Sequence, residues 1–472
     1  MSFITRRKPL GVPQPPQGGG GHGLRRTLSW PHLVALGVGA IVGTGIYTLI
    51  GIGAGIAGPG VMLSFVIAGA VCAFAALAYA EMATMIPEAG SAYTYAYHGA
   101  GEGFAWVVGW SLILEYTVVA AAVSAGWSAS VSSLIEQAHW PIPAALLAAP
   151  DAGGLVNLPG VFIAVVVTAM LLVGTRESAW VNVVLVAVKL TALAAFIGLT
   201  LPHFHAENFH PLMPFGFNAH VDPDGVKRGV MAGAALMFFA FYGFDAISTA
   251  AEEARNPARD LTIGIVGSML LCTAIYMVVA AAALGASPYD VFSKSGAPLA
   301  FVLKTLHQDL AAALIAGAAV LALPTVIMVF MYGQTRVFFA MARDRLLPAF
   351  MAEIGPRGVP TLVTLFTGAV AALIAGFVPL KEIAELANAG TLLAFVATAA
   401  CMMILRRAAP TAVRPFRAPA PWLVGPAAIG GCLYLFASLP AATMIRFAIW
   451  NALGVGVYLV YGRVKSRLAQ AG

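Results

Sequence analysis

The sequence predicts an all-α integral membrane protein of twelve transmembrane helices, and three observations carry that prediction. First, 60% of the 472 residues are hydrophobic and 10% are charged, with a mean hydropathy of +0.87. Ordinary globular chains carry roughly 45–50% apolar and about 25% charged residues. So thin a charged shell cannot cover that much apolar surface in water. Second, the apolar residues form continuous runs of about 20 residues, the length a helix needs to cross a bilayer, without the two-residue alternation of barrel strands. Third, lysines and arginines gather on alternate connections, the pattern that orients membrane helices.

The same composition excludes other classes. Disorder needs low hydrophobicity, and the 50 glycines and 29 prolines show no collagen period. Cys72, Cys272, Cys401 and Cys432 stand alone inside apolar runs. They read as small buried hydrophobes, not disulfides or metal ligands.

The runs fall at 31–56, 60–85, 104–135, 157–174, 178–201, 229–252, 261–285, 309–340, 361–379, 383–405, 421–439 and 442–462, here spans 1 to 12. Residues 1–30 are basic at the start, then rich in Pro and Gly, and lack the apolar core and cleavage site of a signal peptide. They read as a cytoplasmic tail ending in Arg25 and Arg26. With the N-terminus inside, 19 of the 26 Lys and Arg fall on inner segments. The outer segments hold Lys227, Arg228, Lys294, Lys304, Lys381 and Arg446, and Lys189 lies within span 5. Both termini are therefore expected in the cytoplasm. The basic excess is explained by topology, so no nucleic-acid partner is needed.

Spans 1 and 6 carry interruptions. Span 1 contains Gly43-Thr44-Gly45 at its middle, and span 6 contains Tyr242-Gly243-Phe244-Asp245. Paired glycines lower the cost of unwinding a helix, and unwound backbone at membrane depth is tolerable only where it lines a polar cavity. The breaks lie five helices apart, an odd offset that inverts one half of the chain relative to the other. That is the layout of inverted-repeat transporters with discontinuous helices. Close packing of small residues is the rival reading of Gly43 and Gly45. Two breaks in corresponding positions, one with an acid, favour a binding site. The half-helix starting near Thr44 and Gly45 offers unpaired N–H groups and a positive dipole end to an anion. The chain around Phe239–Gly243 offers carbonyls to a cation. A zwitterion with both groups one carbon apart, an amino acid, suits the pair.

These residues carry a family resemblance. Leu36-Gly-Val-Gly-Ala-Ile-Val-Gly-Thr-Gly-Ile46 and Phe239-Ala-Phe-Tyr-Gly-Phe-Asp-Ala-Ile-Ser-Thr-Ala-Ala-Glu-Glu253, with Asn256-Pro257, resemble signatures of the amino acid–polyamine–organocation (APC) transporters. They are most similar to the cationic amino acid transporter branch and its bacterial members, as are Leu114-Glu115-Tyr116, Met341-Ala-Arg-Asp-Arg-Leu-Leu-Pro348 and Pro415-Phe-Arg417. The resemblance runs from about Leu24 to Arg467. It implies a LeuT-like five-plus-five inverted repeat with discontinuous helices 1 and 6, and helices 11 and 12 outside it. The expected organisation is a tail (1–30), a first repeat (31–201), an outer loop (202–228), a second repeat (229–405), an inner loop (406–420), the last two spans (421–462) and a C-terminal tail (463–472). The resemblance also implies that Ile41, Gly43, Thr44 and Gly45 receive a substrate carboxylate. Carbonyls of Phe239, Ala240 and Tyr242 beside Gly243 would receive the amine, with Phe244 as an aromatic gate. The chain departs at Phe241-Tyr242, where relatives often carry Tyr-Ile, so extra bulk stands beside the amine site.

Lys189 sits mid-span in span 5, where a charge costs about 2.5–3.5 kcal/mol on insertion scales and is rarely idle. Buried lysines as a class exchange protons readily, and snorkelling from mid-span reaches poorly. The resemblance implies that this lysine stands where sodium-coupled relatives hold an ion between helices 1 and 8, making coupling protonic. Glu115 and Asp245 are the other deep acids. Either could pair with Lys189, hold substrate, or support exposed backbone. Glu81, near the inner end of span 2, suits an interfacial or gate contact.

Gly53-Ala-Gly-Ile-Ala-Gly58 satisfies GxGxxG but opens no βαβ unit. His203, His205 and His210 with Asp222 and Asp224 lack metal-ligand spacing. No catalytic or ATP-binding motif appears, so neither an enzyme, a metal nor a cofactor is expected. The expected function is a proton-coupled amino acid permease in the plasma membrane, a bacterial inner membrane by the resemblance. The alternatives are a polyamine or organocation carrier, an exchanger, and a membrane amino acid sensor. Expected partners are an amino acid and the lipid bilayer. A small accessory membrane peptide or lipid is also admitted, and oligomeric state is not written in the chain.

Overall fold

The computed structural model describes residues 6–10, 28–88, 90–173, 179–249, 251, 254–353 and 360–470. Arg25, Arg26, Arg176, Arg357, Glu252 and Glu253 lie outside these residues. The described chain is almost wholly helical, and its strands are a two-residue antiparallel hairpin, β1 (His220–Val221) and β2 (Lys227–Arg228).

The first segment is α1 (Trp30–Ile41), a π-helical turn (Gly45–Leu49), α2 (Ile50–Ala57), a 3-10 turn (Gly58–Gly60) and α3 (Val61–Met85). Next come α4 (Ala92–Gly99), α5 (Glu102–Gln137), α6 (Leu158–Val173) and α7 (Ala179–Thr200). After the hairpin, α8 (Val230–Met237) and α9 (Phe244–Thr249) flank a 3-10 turn, Phe238–Phe241. Then follow α10 (Pro257–Thr262), α11 (Ser268–Ala286), α12 (Tyr289–Phe292), α13 (Pro298–Thr305) and α14 (Asp309–Arg343). The last helices are α15 (Thr361–Phe377), α16 (Leu380–Ala408), α17 (Pro421–Ala437) and α18 (Ala441–Val457). Prolines open several of them, where a missing N–H costs nothing.

Eight helical stretches are long and apolar enough to cross a membrane, and three shorter apolar helices, Leu158–Leu172, Thr361–Phe377 and Pro421–Ala437, accompany them among the described residues. The chain is a multi-pass membrane protein. Trp30–Met85 counts as one apolar stretch but reverses inside it. A Cβ on Gly53 would lie 3.1 Å from Val61 Cγ2. Eight residues of straight helix would separate the two by about 12 Å. The turn is made by Gly58, whose φ of +63° a side chain would strain, followed by Pro59.

Facing pairs show that α1–α2 and α8–α9 run antiparallel. Gly229 N–H donates to the Ile56 carbonyl (3.1 Å), and Gly53 packs on Met237 and Gly37 on Ile247. On α14, Pro324 cannot donate to the carbonyl four residues earlier, that of Val320. Trp127 Nε1 of α5 takes up that carbonyl at 2.8 Å. Farther along α5, Trp110 stacks between Trp106 and Trp450 of α18, with centroids 5.6 and 4.9 Å away.

Two buried carboxylates gather the ends of the chain on one face. Asp344 accepts from Lys8 (2.7 Å) and Tyr93 (2.6 Å), and its carbonyl accepts from Arg467 N–H (3.0 Å). Glu102 accepts from Tyr97 (3.0 Å), Tyr458 (2.9 Å) and Ser466 (2.8 Å). Glu81 at the end of α3 is buried, gripped by Arg406 at 2.8 and 2.5 Å, Arg414 at 3.4 Å and Ala418 N–H at 2.8 Å. Removing one partner of such a buried pair costs about 3–5 kcal/mol because the opposing charge is stranded. Glu81→Gln is therefore expected to lower the thermal unfolding midpoint of the detergent-solubilised protein by several degrees. An unchanged midpoint would reduce the cluster to a weak surface contact.

Candidate functional site

The two interruptions meet at the centre of the molecule. A Cβ added to Gly45 would lie 2.5 Å from Ala240 Cβ and nearer still to Ala240 Cα. One added to Gly243, whose φ is +115°, would lie 2.6 Å from Ala40 Cβ and 2.9 Å from the Ala40 carbonyl carbon. Backbone therefore touches backbone at both breaks, which only glycine permits.

At the first break the helical ladder stops at Val42, whose ψ of +92° is extended. Ile46 and Tyr47 N–H groups both donate to the Gly43 carbonyl at 3.2 Å. The N–H groups of Gly43, Thr44 and Gly45 donate to no backbone carbonyl among the described residues. They form the positive end of the π-helical turn that continues into α2. Thr44 Oγ1 is buried with no hydrogen-bond partner among the described residues, and the Thr44 side chain rests on Gly126 of α5. The Ile41 carbonyl accepts from the Tyr276 hydroxyl of α11 at 2.6 Å.

At the second break, Tyr242 N–H reaches the Phe239 carbonyl at only 3.4 Å, so the turn after α8 is loosely closed. Asp245 turns back on its own helix start. Its Oδ1 accepts from Gly243 N–H (3.2 Å) and its Oδ2 from the Tyr116 hydroxyl of α5 (3.2 Å). Phe239 packs against Tyr242 with centroids 4.9 Å apart. Phe244 joins a buried cluster with Tyr79 (5.8 Å) and Phe395 (4.9 Å). Ala240 fills the notch left by Gly45.

Lys189 is 0% exposed. Its ammonium donates to the Gly39 carbonyl of α1 at 2.7 Å and to Thr325 Oγ1 of α14 at 3.4 Å. The Tyr47 hydroxyl donates to the Lys189 carbonyl at 3.2 Å. The charge thus sits between α1 and α14, one turn before the first break. Glu115 is buried on the other side of the centre, on α5. Neither of its carboxylate oxygens has a hydrogen-bond partner among the described residues. A Cβ added to Gly390 of α16 would lie 3.0 Å from the Glu115 Cβ. The structure therefore brings the residues of both breaks together, sets Lys189 against α1, and places Asp245 with Tyr116.

Sequence reasoning missed three residues. Asn388 of α16 donates to the Ala235 carbonyl (2.6 Å) and accepts from the Tyr242 hydroxyl. Tyr116 and Tyr276 each end on a break. A lone amide deep in span 10 and tyrosine hydroxyls at mid-span were the available signals, since each needs a partner in hydrocarbon.

A multi-pass helical bundle whose two interrupted helices meet at a buried polar centre belongs to the class of membrane transporters, not enzymes. A sequence model of the amino acid permease family matches residues 28–459, and the chain belongs to that family. It is 42% identical over 452 residues to the branched-chain amino acid permease BcaP of Bacillus subtilis, covering 95% of each chain. It is 39% identical over 472 residues to the methylthioribose transporter of the same organism, covering 99% of this chain and 100% of that one. A plant protein, cationic amino acid transporter 4 of Arabidopsis thaliana, is 34% identical over 429 residues, 88% of this chain and 68% of that one.

Proposed function

We propose that the chain is a proton-coupled symporter of neutral aliphatic amino acids that works by alternating access. The observation that carries the reading is the meeting of the breaks. The N–H groups of Thr44 and Gly45, which donate to no backbone carbonyl among the described residues, stand against the loosely closed turn at Phe238–Phe241. A carboxylate binds the first and an ammonium the second. Val326 and Leu323 lie 3.5 and 3.8 Å from where a Gly43 Cβ would be, so an aliphatic side chain finds apolar neighbours. The similarity to a branched-chain permease supports the same cargo.

The proposed frame is twelve spans in a LeuT-like five-plus-five arrangement with the domain limits expected above. Both termini lie in the cytoplasm of a bacterial inner membrane. Substrate and proton enter from outside, the bundle of spans 1 and 6 rocks, and both leave inside. Lys189 carries the proton and holds the Gly39 carbonyl in its charged form.

The test is uptake of labelled leucine, valine, arginine and methylthioribose into proteoliposomes, with and without an inward proton gradient. Gradient-stimulated leucine or valine uptake is expected. Arginine preference would replace the substrate class, and gradient-independent uptake would make the protein a uniporter or exchanger. Methylthioribose uptake alone is the second reading, favoured by the full-length similarity to a transporter of that name. A thioribose has neither carboxylate nor ammonium for the two breaks, so it ranks below.

A further inference from the structure

Span 6 changes course at the turn Phe238–Phe241, and one side chain from another helix holds that turn on both sides. Asn388 of α16 is buried. Its amide nitrogen donates to the Ala235 carbonyl at 2.6 Å and to the Leu236 carbonyl at 3.4 Å. Both carbonyls belong to the last turn of α8, where a helix leaves acceptors without partners of its own. The amide oxygen accepts from the Tyr242 hydroxyl, beyond the turn. Only the NH2 end of an amide can face two carbonyls, so the partners fix its orientation. Tyr242 folds its ring back on Phe238 and Phe239, with centroids 5.8 and 4.9 Å away. Two turns along α16, Phe395 packs on Phe238 and Phe244 at 5.5 and 4.9 Å. Apolar contact between α16 and span 6 is thus supplied by Phe395. An amide buried beside it costs free energy unless its hydrogen bonds are met, and what those bonds add is a fixed distance across the turn.

We propose that Asn388 is a positioning residue that sets the selectivity of the second break for a primary ammonium. It ties the end of α8 to Tyr242 and so holds the intervening turn at one opening. The turn's own closure is weak, since the Tyr242 N–H reaches the Phe239 carbonyl at only 3.4 Å. The staple from α16 therefore does what the backbone of the turn does not. Held open by a fixed amount, the carbonyls of the turn match an ammonium with three N–H donors and reject a bulkier amine that presents fewer. Asn388 touches no substrate in this arrangement and acts through the backbone that does.

The inference rests on the amino acid reading above, and competition against tritiated leucine on the purified full chain tests the two separately. Wild type is expected to bind N-methylleucine about 100-fold more weakly than leucine, because the added methyl replaces an N–H and leaves a buried carbonyl unpaired. Asn388→Leu keeps the volume but neither donates nor accepts. It should weaken leucine by about tenfold, the loss of roughly one hydrogen bond, and shrink the gap between the two ligands to about tenfold. Tyr242→Phe deletes only the hydroxyl and should shrink the gap in the same direction by a smaller factor. The double variant should match Asn388→Leu within about twofold, because the hydroxyl acts through the amide. Equal loss for both ligands, or exclusion of N-methylleucine by wild type and variants alike, would make Asn388 a packing residue and overturn the proposal. So would a wild type that binds the two ligands equally, or a double variant whose effects multiply. Each of these leaves leucine binding, and with it the amino acid reading, intact. Absence of leucine binding to folded wild type would remove that reading itself. Should Asn388→Leu not elute as a folded species, the gap in Tyr242→Phe decides alone.

Discussion

Lys189→Met is expected to lower gradient-driven amino acid accumulation by about 100-fold while leaving counterflow exchange detectable. The ammonium is buried and donates to the Gly39 carbonyl and to Thr325. Hydrogen bonds to a charged group contribute about 1.5–3 kcal/mol each, so losing one that organises the first break corresponds to roughly a 10- to 150-fold change. Methionine keeps the volume and unbranched shape but neither carries a proton nor donates to the carbonyl. Lys189→Arg separates the two roles. Arginine donates yet does not release its proton at physiological pH, so binding should persist and proton dependence vanish. The readout is uptake into proteoliposomes at fixed outside pH with varied inside pH. Equal gradient stimulation in wild type and Lys189→Met would reduce the lysine to a packing and capping residue.

Gly45→Ala is the second large effect. The new methyl would lie 2.5 Å from Ala240 Cβ, inside any real carbon contact, with backbone as the immediate obstacle. Overpacking costs roughly 1–3 kcal/mol when side chains can yield, and here the two broken segments themselves must separate. Displacing a positioning group by about 1 Å can cost on the order of 100-fold. Leucine binding is expected to weaken by at least that factor, with elution as a folded monodisperse species. Gly243→Ala adds backbone strain, because its φ is +115°. Gly317→Ala on α14 is the control, since nothing lies within 4 Å of the position. It should bind normally and be neutral or slightly more stable. Normal affinity in Gly45→Ala would show that the breaks are not the binding centre.

How far the sequence could be read depended on whether the information was local. Continuous apolar runs against a sparse set of charges made the helices legible, because each span must satisfy its own backbone inside lipid. Gly43, Gly45 and Gly243 were legible for the same reason. A mid-helix glycine pair around Thr44, and a glycine two residues before Asp245, have few other uses at that depth. The partners of the charges were not local. Asp245 could have faced Lys189 by sequence alone, and only the packing of α5 against α9 shows its carboxylate on Tyr116. The grip of Arg406 and Arg414 on Glu81 joins residues more than 300 positions apart. Asn388 was unremarkable in a helix of small residues until Ala235 and Tyr242 came to lie beside it. The reversal at Gly58 falls in the gap between the runs 31–56 and 60–85, where Gly58-Pro59-Gly60 supplies residues that stop a helix.

The indole that fills the gap under Pro324 has a spectroscopic consequence. Trp127 adjoins Gly126, on which Thr44 rests, and its N–H is fixed to the Val320 carbonyl. The proposed rocking of span 1 would move Thr44 against Gly126 and so alter the stretch of α5 that carries the ring. Trp106, Trp110 and Trp450 are stacked and tied by their own hydrogen bonds to the Gly454, Trp450 and Trp110 carbonyls, so they contribute a steady emission background. Trp127 is one of eight tryptophans, so the difference in emission between wild type and Trp127→Phe on adding leucine is the expected report of that movement, without an attached dye.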